Sequence, residues 1–275
     1  MTAQPTIAFI GAGNMATSLI GGLITNGYPA EKIWASNPLE DQCKALEQHF
    51  NVQTTADNQA AAKSADIVVL SVKPQLIPVV AAEIATIVQE KRLLVLSIAA
   101  GIPTDILSQW LGKTTPIVRC MPNLSALIQC SASALFANNY VTTHQKTLAE
   151  SIIRAVGIAV WLTDEEQMDT VTALSGSGPA YFFLLMEILE QTAAELGLPT
   201  DVARLLTLQT GLGAARLALE SEHTIAELRE KVTSSGGTTE AALQVLTAGN
   251  LRKLIADAVH AAKKRAHELS LTKVS

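Results

Sequence analysis

A short apolar run, Thr6-Ile-Ala-Phe-Ile10, leads straight into Gly11-Ala-Gly-Asn-Met-Ala16. The run reads as a buried parallel strand. The residues after the glycines read as a helix from about Asn14 to Asn26, closed at Gly27. Strand, Gly-x-Gly-x-x-Ala turn and helix in this order form a dinucleotide-binding pattern, with Ala16 in the third glycine position. Gly11 permits the tight turn, Gly13 lets the backbone approach a pyrophosphate, and Ala16 lets the helix pack close to the strand. The helix start at Asn14 and Met15 offers free N–H groups to an anion.

Strand and helix patterns continue to alternate. Strands are expected at Lys32–Ser36, Asp66–Ser71, Leu93–Ile98, Pro116–Cys120, Ser133–Ala137 and Ile158–Leu162. Helices are expected at Asp41–Phe50, Gln75–Glu90, Pro103–Leu111 and Thr143–Val156. This alternation implies an α/β fold built on a Rossmann-type doubly wound parallel sheet. After Thr163 only helical patterns remain: Pro179–Leu196, Pro199–Glu220, Thr224–Val232, Thr239–Thr247 and Leu251–Leu269. The expected division is a dinucleotide-binding domain over 1–163 and an all-α domain over 164–275, for substrate binding and dimerisation.

Composition narrows the class. Hydrophobic residues make up 48% and charged residues only 16%, so apolar surface is expected to be buried between subunits. The helix from Pro179 is apolar all round until Glu187, which requires burial in a core or against a second chain. Net charge is −5, and the one compact basic run, Lys263-Lys264-Arg265, reads as a helix end, which argues against nucleic acid. Three cysteines without a CxxC spacing favour a reducing cytoplasm. The most hydrophobic stretch, Val171–Met186, is too short for a membrane span, and a soluble protein is expected.

Ligands of open α/β sheets bind outside the carboxyl ends of the strands. Ser71-Val72-Lys73-Pro74 and Ala99-Ala100-Gly101 follow two strands and are expected to line the nicotinamide cleft, with Lys73 read as a turn residue. Arg119 and Asn123 flank a Met-Pro turn and are expected to brace the cleft between domains, Asn123 on the cofactor side. The second strand ends in Ser36-Asn37-Pro38, where NAD-specific folds place Asp or Glu. With no carboxylate there to repel a 2′-phosphate, NADPH is favoured and NADH remains usable; Ser36 and Asn37 are the contacts expected.

Ser234-Ser-Gly-Gly-Thr-Thr239 leads into a helix. Gly236 and Gly237 allow a backbone nest, and the helix start adds unpaired N–H groups, which suits a carboxylate. Thr238 or Thr239 also suits a helix cap, and the two roles are compatible. Ser175-Gly-Ser-Gly-Pro179 permits close backbone approach to a ligand or to a partner helix. Glu222 reads as a surface residue. His260 and His267 lie two turns apart, too far for joint ligation, and no metal site is expected.

Six segments resemble the pyrroline-5-carboxylate reductase family over nearly the whole chain. They are Gly11-Ala-Gly-Asn-Met15, Ser71-Val-Lys-Pro-Gln75, Ser97-Ile-Ala-Ala-Gly101, Arg119-Cys-Met-Pro-Asn123, Ala173-Leu-Ser-Gly-Ser-Gly-Pro-Ala-Tyr-Phe-Phe183 and Val232-Thr-Ser-Ser-Gly-Gly-Thr-Thr239. The resemblance implies NADPH- or NADH-dependent reduction of the cyclic imine 1-pyrroline-5-carboxylate to L-proline. It also implies a helical dimerisation domain and homodimers that assemble further, as in a pentamer of dimers. It places the substrate against Ser234, Gly236, Gly237, Thr238 and Thr239, with Ser234 and Thr239 as catalytic candidates and the Thr239 hydroxyl beside the imine. The chain departs from the family pattern at Ser235, where Pro is usual, at Leu124-Ser125, where Thr-Pro is common, and at Pro38, where Arg is frequent.

Two other readings compete. A β-hydroxyacid dehydrogenase shares the architecture but needs a lysine one turn beyond the Gly-rich segment, and Ala180-Tyr-Phe-Phe-Leu-Leu-Met186 has none. A non-catalytic NADP-binding sensor would not need both an anion anchor and a nicotinamide cleft.

Overall fold

In the computed structural model, which describes residues 4–271, eight strands form one sheet. They are β1 (Ile7–Ile10), β2 (Ile33–Ser36), β3 (Gln53–Thr55), β4 (Ile67–Leu70), β5 (Leu94–Ser97), β6 (Ile117–Met121), β7 (Ser131–Ala137) and β8 (Gly157–Trp161). Their spatial order is β3-β2-β1-β4-β5-β6-β7-β8. β1 pairs in parallel with both β2 and β4, so the chain reverses its direction of travel across the sheet at β1. Such a switch point opens a crevice at the carboxyl ends of β1 and β4.

The sheet is not parallel throughout, as its strand–helix alternation had suggested. β7 runs antiparallel to β6, and β8 follows β7. The link between β6 and β7 is a single 3-10 turn over Leu124–Ile128, too short for the crossover that a parallel partner requires. Three elements escaped the sequence reading, one of them the five-residue helix α7 (Gln167–Val171). β3 is a three-residue edge strand of polar residues, and α3 (Asn58–Ser64) is only seven residues long. None is long enough to display a hydrophobic period.

The remaining helices of the sheet unit are α1 (Asn14–Thr25), α2 (Glu40–Phe50), α4 (Ile77–Lys91), α5 (Thr104–Leu111), α6 (Thr143–Arg154) and α7 (Gln167–Val171). Alternate strand residues feed two cores. Phe9, Ile33, Val69 and Leu96 pack with Leu19 and Ile20 of α1 and Ile152 of α6. Ala8, Ile10, Val68 and Val95 pack with Ala61 of α3, Ile84 of α4 and Leu107 of α5. The sheet is therefore covered by helices on both faces, as a doubly wound fold requires. Gly27 (φ +82°) closes α1: its N–H reaches Ile24 O and the Tyr28 N–H reaches Leu23 O, the two bonds of a Schellman motif.

The rest is helical: α8 (Gly178–Glu195), α9 (Thr200–Glu220), α10 (Ile225–Lys231), α11 (Thr238–Ala248) and α12 (Leu251–Leu271). By compactness one unit runs to Ser177 and includes the C-terminal segment from Ala262, and the other is Gly178–Ala261. In the helical unit α8 packs on α9, where the Met186 side chain lies over Gly211. Much of α8 faces solvent in the single chain; Phe182, Phe183 and Leu189 are all exposed by more than half. With α7 and the π-turn Thr172–Gly176, α8 forms one run over 167–195, which by length and composition is sufficient to cross a bilayer. The argument from shortness at Val171–Met186 therefore fails, since that stretch is only part of the run.

Candidate active site

The turn after β1 locks three strand ends together. Gly11 has φ +104°, and a Cβ there would stand 2.8 Å from the Ser71 carbonyl carbon and oxygen and from Val72 Cγ1. Only glycine fits both restrictions. The Gly11 N–H donates to Ser36 O at 2.9 Å, at the end of β2. Ser71, just past β4, donates its hydroxyl to Ile10 O at 3.0 Å and to Gly11 O at 2.7 Å. Ser71 thus fixes the turn, while Val72, Lys73 and Pro74 extend beyond it. Pro74 opens a 3-10 turn and Lys73 is exposed.

Gly13 is the opposite case. Nothing lies within 4 Å of the position a Cβ would take. It occupies the N-cap of α1, where no side chain caps the helix and no acidic residue sits in the first turn. The first N–H groups of α1, at Asn14 and Met15, therefore point at open space with unspent capacity. Ala16 is fully buried, in line with a packing role. These features fit a dinucleotide pyrophosphate.

Further along the carboxyl edge, Gly101 has φ +71°, Ala99 is buried and Ala100 is exposed. Two buried polar atoms, Ser97 Oγ and Asn123 Oδ1, have no hydrogen-bond partner. Both lie at or just past strand ends on this edge, and an orphaned buried polar group there fits the polar atoms of a bound cofactor. The Asn123 amide donates to Ser175 O at 2.9 Å, tying the end of β6 to the π-turn. Gly176 sits close to Met121, whose Cε would lie 2.6 Å from a Cβ there. The Gly-rich segment thus allows close approach within the sheet unit itself.

Arg119 is buried and forms an ion pair with Glu165, Nη1 to Oε1 at 3.1 Å. The same carboxylate accepts the Thr104 N–H at 2.8 Å and the Thr104 hydroxyl at 2.6 Å. It serves as the missing N-terminal cap of α5, directly after the Ala99–Gly101 loop. Arg119 is spent on this tie and is not a free cation for a substrate.

At the end of β2, Ser36 is fully buried and donates its hydroxyl to Asn58 Oδ1 at 2.7 Å. The Asn58 amide in turn donates to Glu83 Oε2 at 2.8 Å. Asn37 is half-buried; its Oδ1 accepts the Leu39 N–H at 2.9 Å and its amide donates to Gln42. Asn58 and Glu83 had no signal in the sequence, because the helix that begins at Asn58 was not legible and Glu83 arrives from α4. Thr104 and Glu165 were missed for a similar reason, their contact spanning 61 residues.

The segment over 234–239 forms the start of α11. Gly236 has φ +74° and its N–H donates to Glu240 Oε2 at 2.7 Å. The Gly237 N–H donates to Ser234 O at 3.0 Å. Both glycine N–H groups are thus committed locally, and the nest expected from the Gly-Gly pair has no spare donors. Gly237 is the N-cap of α11 and makes no side-chain cap. Thr238 and Thr239 are the first two helical residues, so neither is the cap. What the segment offers an anion is the uncapped helix start with the Ser234, Thr238 and Thr239 hydroxyls close by in sequence.

Comparison with known proteins decides the family. The chain is 50% identical to a pyrroline-5-carboxylate reductase of Pseudomonas aeruginosa over 97% of each chain. This chain belongs to the pyrroline-5-carboxylate reductase family. A relative with that same name from Vibrio alginolyticus is 44% identical over 96% of this chain and 97% of its own. Two family models match parts of the chain: pyrroline-5-carboxylate reductase dimerisation over 165–269, and NADP oxidoreductase coenzyme F420-dependent over 6–101. The structure of a pyrroline-5-carboxylate reductase from Coxiella burnetii superposes with a TM-score of 0.94 at 49% identity, covering 98% of this chain and 99% of that one. A Plasmodium falciparum pyrroline carboxylate reductase with NADP bound superposes with a TM-score of 0.87 at 26% identity, covering 97% and 98%. The chain is accordingly an NAD(P)-dependent oxidoreductase with a Rossmann-type unit and a helical dimerisation domain. The dimerisation match spans the apolar run over 167–195.

Proposed function

We propose that this chain reduces 1-pyrroline-5-carboxylate to L-proline with a reduced nicotinamide cofactor, NADPH in preference to NADH. The identity of 50% over 97% of both chains to a protein of that activity by name is the observation that carries the reading.

The nicotinamide, when bound, supplies the hydride. The chain's own residues position the reactants. Gly11 shapes the tight turn, its own N–H being committed to Ser36 O, and Gly13, Asn14 and Met15 would hold the pyrophosphate through backbone N–H groups. Ser71, Val72, Lys73, Pro74, Ala99, Ala100, Gly101 and Asn123 shape the nicotinamide side. Ser36, which is buried and holds Asn58 in place, and Asn37, which shapes the turn, would form the ribose end of the site. The helix start of α11, with Ser234 and Thr238, takes the substrate carboxylate. Gly236 and Gly237 give the loop its shape. Thr239 directs its hydroxyl to the imine nitrogen. A cyclic imine is readily protonated, so no strong protein acid is needed, and the hydroxyl orients the ring or relays a proton from water.

The active form is a homodimer joined through residues of 164–275, with a ring of dimers as the larger assembly. The three cysteines, none of them paired, suit a reducing cytoplasm. Consumption of NADPH and of NADH is measured with pyrroline-5-carboxylate and, as controls, with hydroxyacids. The expected result is turnover on the imine alone, with higher kcat/KM for NADPH. Turnover on a hydroxyacid and none on the imine would overturn it; equal or better efficiency with NADH would remove the cofactor preference alone.

A further inference from the structure

The end of β2 carries no acidic residue in sequence, yet a carboxylate reaches it in space. Glu83, on α4, accepts the Asn58 amide at 2.8 Å, and Asn58 accepts the Ser36 hydroxyl at 2.7 Å. A carboxylate only accepts hydrogen bonds, so Glu83 fixes which side of the Asn58 amide faces it. The Asn58 oxygen is thereby turned to Ser36, while a second amide hydrogen stays available on Nδ2. Ser36 is fully buried and committed, so Asn58 rather than Ser36 presents polar atoms where a ribose 2′ group is recognised in this fold. The turn Ser36-Asn-Pro-Leu39 holds no basic residue. Among the described residues, no cationic side chain forms an ion pair with Glu83.

We propose that Glu83 is a specificity-determining residue: its uncompensated charge, one hydrogen bond behind Asn58, opposes a 2′-phosphate and keeps the non-phosphorylated cofactor usable. The inference rests on reading this turn as the ribose end of the dinucleotide site. Two effects then act in opposite directions. Absence of a carboxylate on β2 itself leaves steric room for the 2′-phosphate, and Glu83 sets how strongly the phosphate is favoured. A phosphate monoester carries nearly two negative charges at neutral pH, so it feels the carboxylate about twice as strongly as a single charge does. A ribose hydroxyl carries none.

The test is calorimetric titration of the full-length protein and of Glu83→Gln with 2′,5′-ADP and with 5′-ADP, probes that need no turnover. Gln keeps an acceptor for the Asn58 amide and removes only the charge. Glu83→Gln is expected to tighten 2′,5′-ADP by about three- to tenfold, the scale of one solvent-screened like-charge interaction. Binding of 5′-ADP stays the same, and the gain shrinks as salt is raised. If both nucleotides shift together, or neither shifts, Glu83 is only a brace for Asn58 and the inference is overturned. If neither nucleotide binds the unmodified protein, the dinucleotide reading of the turn falls first and takes this inference with it.

Discussion

At the scale of single residues, the structure separates roles that the sequence left superposed. Thr239 is the case with most at stake. In sequence it suited a helix cap or a substrate ligand, but the N-cap of α11 is Gly237 and Thr239 is the second helical residue. Replacing it by Ala therefore removes no cap. Thr239→Ala is expected to lower kcat by about 100-fold, the worth of one oriented hydrogen bond of 2–3 kcal/mol in the transition state, with NADPH affinity unchanged. Thr239→Ser keeps the hydroxyl and retains more activity. Normal turnover in the Ala variant would remove Thr239 from the chemistry. Gly11 was legible outright, because a strand followed by Gly-x-Gly leaves few alternatives. Its φ of +104° and the 2.8 Å approach to Ser71 make any side chain a collision with backbone. Gly11→Ala is expected to unfold at lower denaturant by about 2–4 kcal/mol and to lose cofactor binding, both read from urea titration and NADPH fluorescence.

At the scale of elements, long periodic segments were legible and short polar ones were not. β1, β4 and β5 are fully buried, and their apolar runs announced them. β3 and α3 could not be read, and with α3 went Asn58. The reversed strand β7 was legible as a strand but not in its direction, which depends on the brief connection after β6. Contacts between distant elements left no trace either: Arg119 was expected to brace a cleft, and its partner Glu165 stands 46 residues away. That pair carries its own test. Glu165 caps α5 and is only partly exposed, so Arg119→Met would leave its carboxylate against a buried apolar side chain. The variant is expected to lose about 2–4 kcal/mol of stability, since breaking one side of a largely buried pair leaves a charge uncompensated. Glu165→Gln, which keeps an acceptor for Thr104, is expected to lose less. Equal melting temperatures for Arg119→Met and the unmodified chain would show the tie to be idle.

At the scale of the whole molecule, one chain is an incomplete solution to its own hydrophobic surface. The low charge content hinted at this, and the helical unit shows where the surplus lies. Phe182 is 64% exposed on α8, and Leu205 and Leu212 are 68% and 60% exposed on α9. Apolar exposure on this scale in neighbouring helices marks an interface rather than a solvated face. Obligate interfaces of this kind are large and hydrophobic. If folding and association are one event, stability must depend on protein concentration, because the partner acts as a ligand of the folded chain. The melting temperature is therefore expected to rise steadily as concentration is increased over two decades, by several degrees, while sedimentation shows no active monomer. Phe182→Glu places a charge on this exposed apolar face of α8, where covering it with a partner would bury an unpaired charge at a cost of several kcal/mol. It is expected to yield a monomeric, poorly active protein, with the cofactor turn of the other unit still able to bind 5′-ADP. A melting temperature independent of concentration, together with a fully active monomer, would show that the exposed face of α8 serves something other than dimerisation.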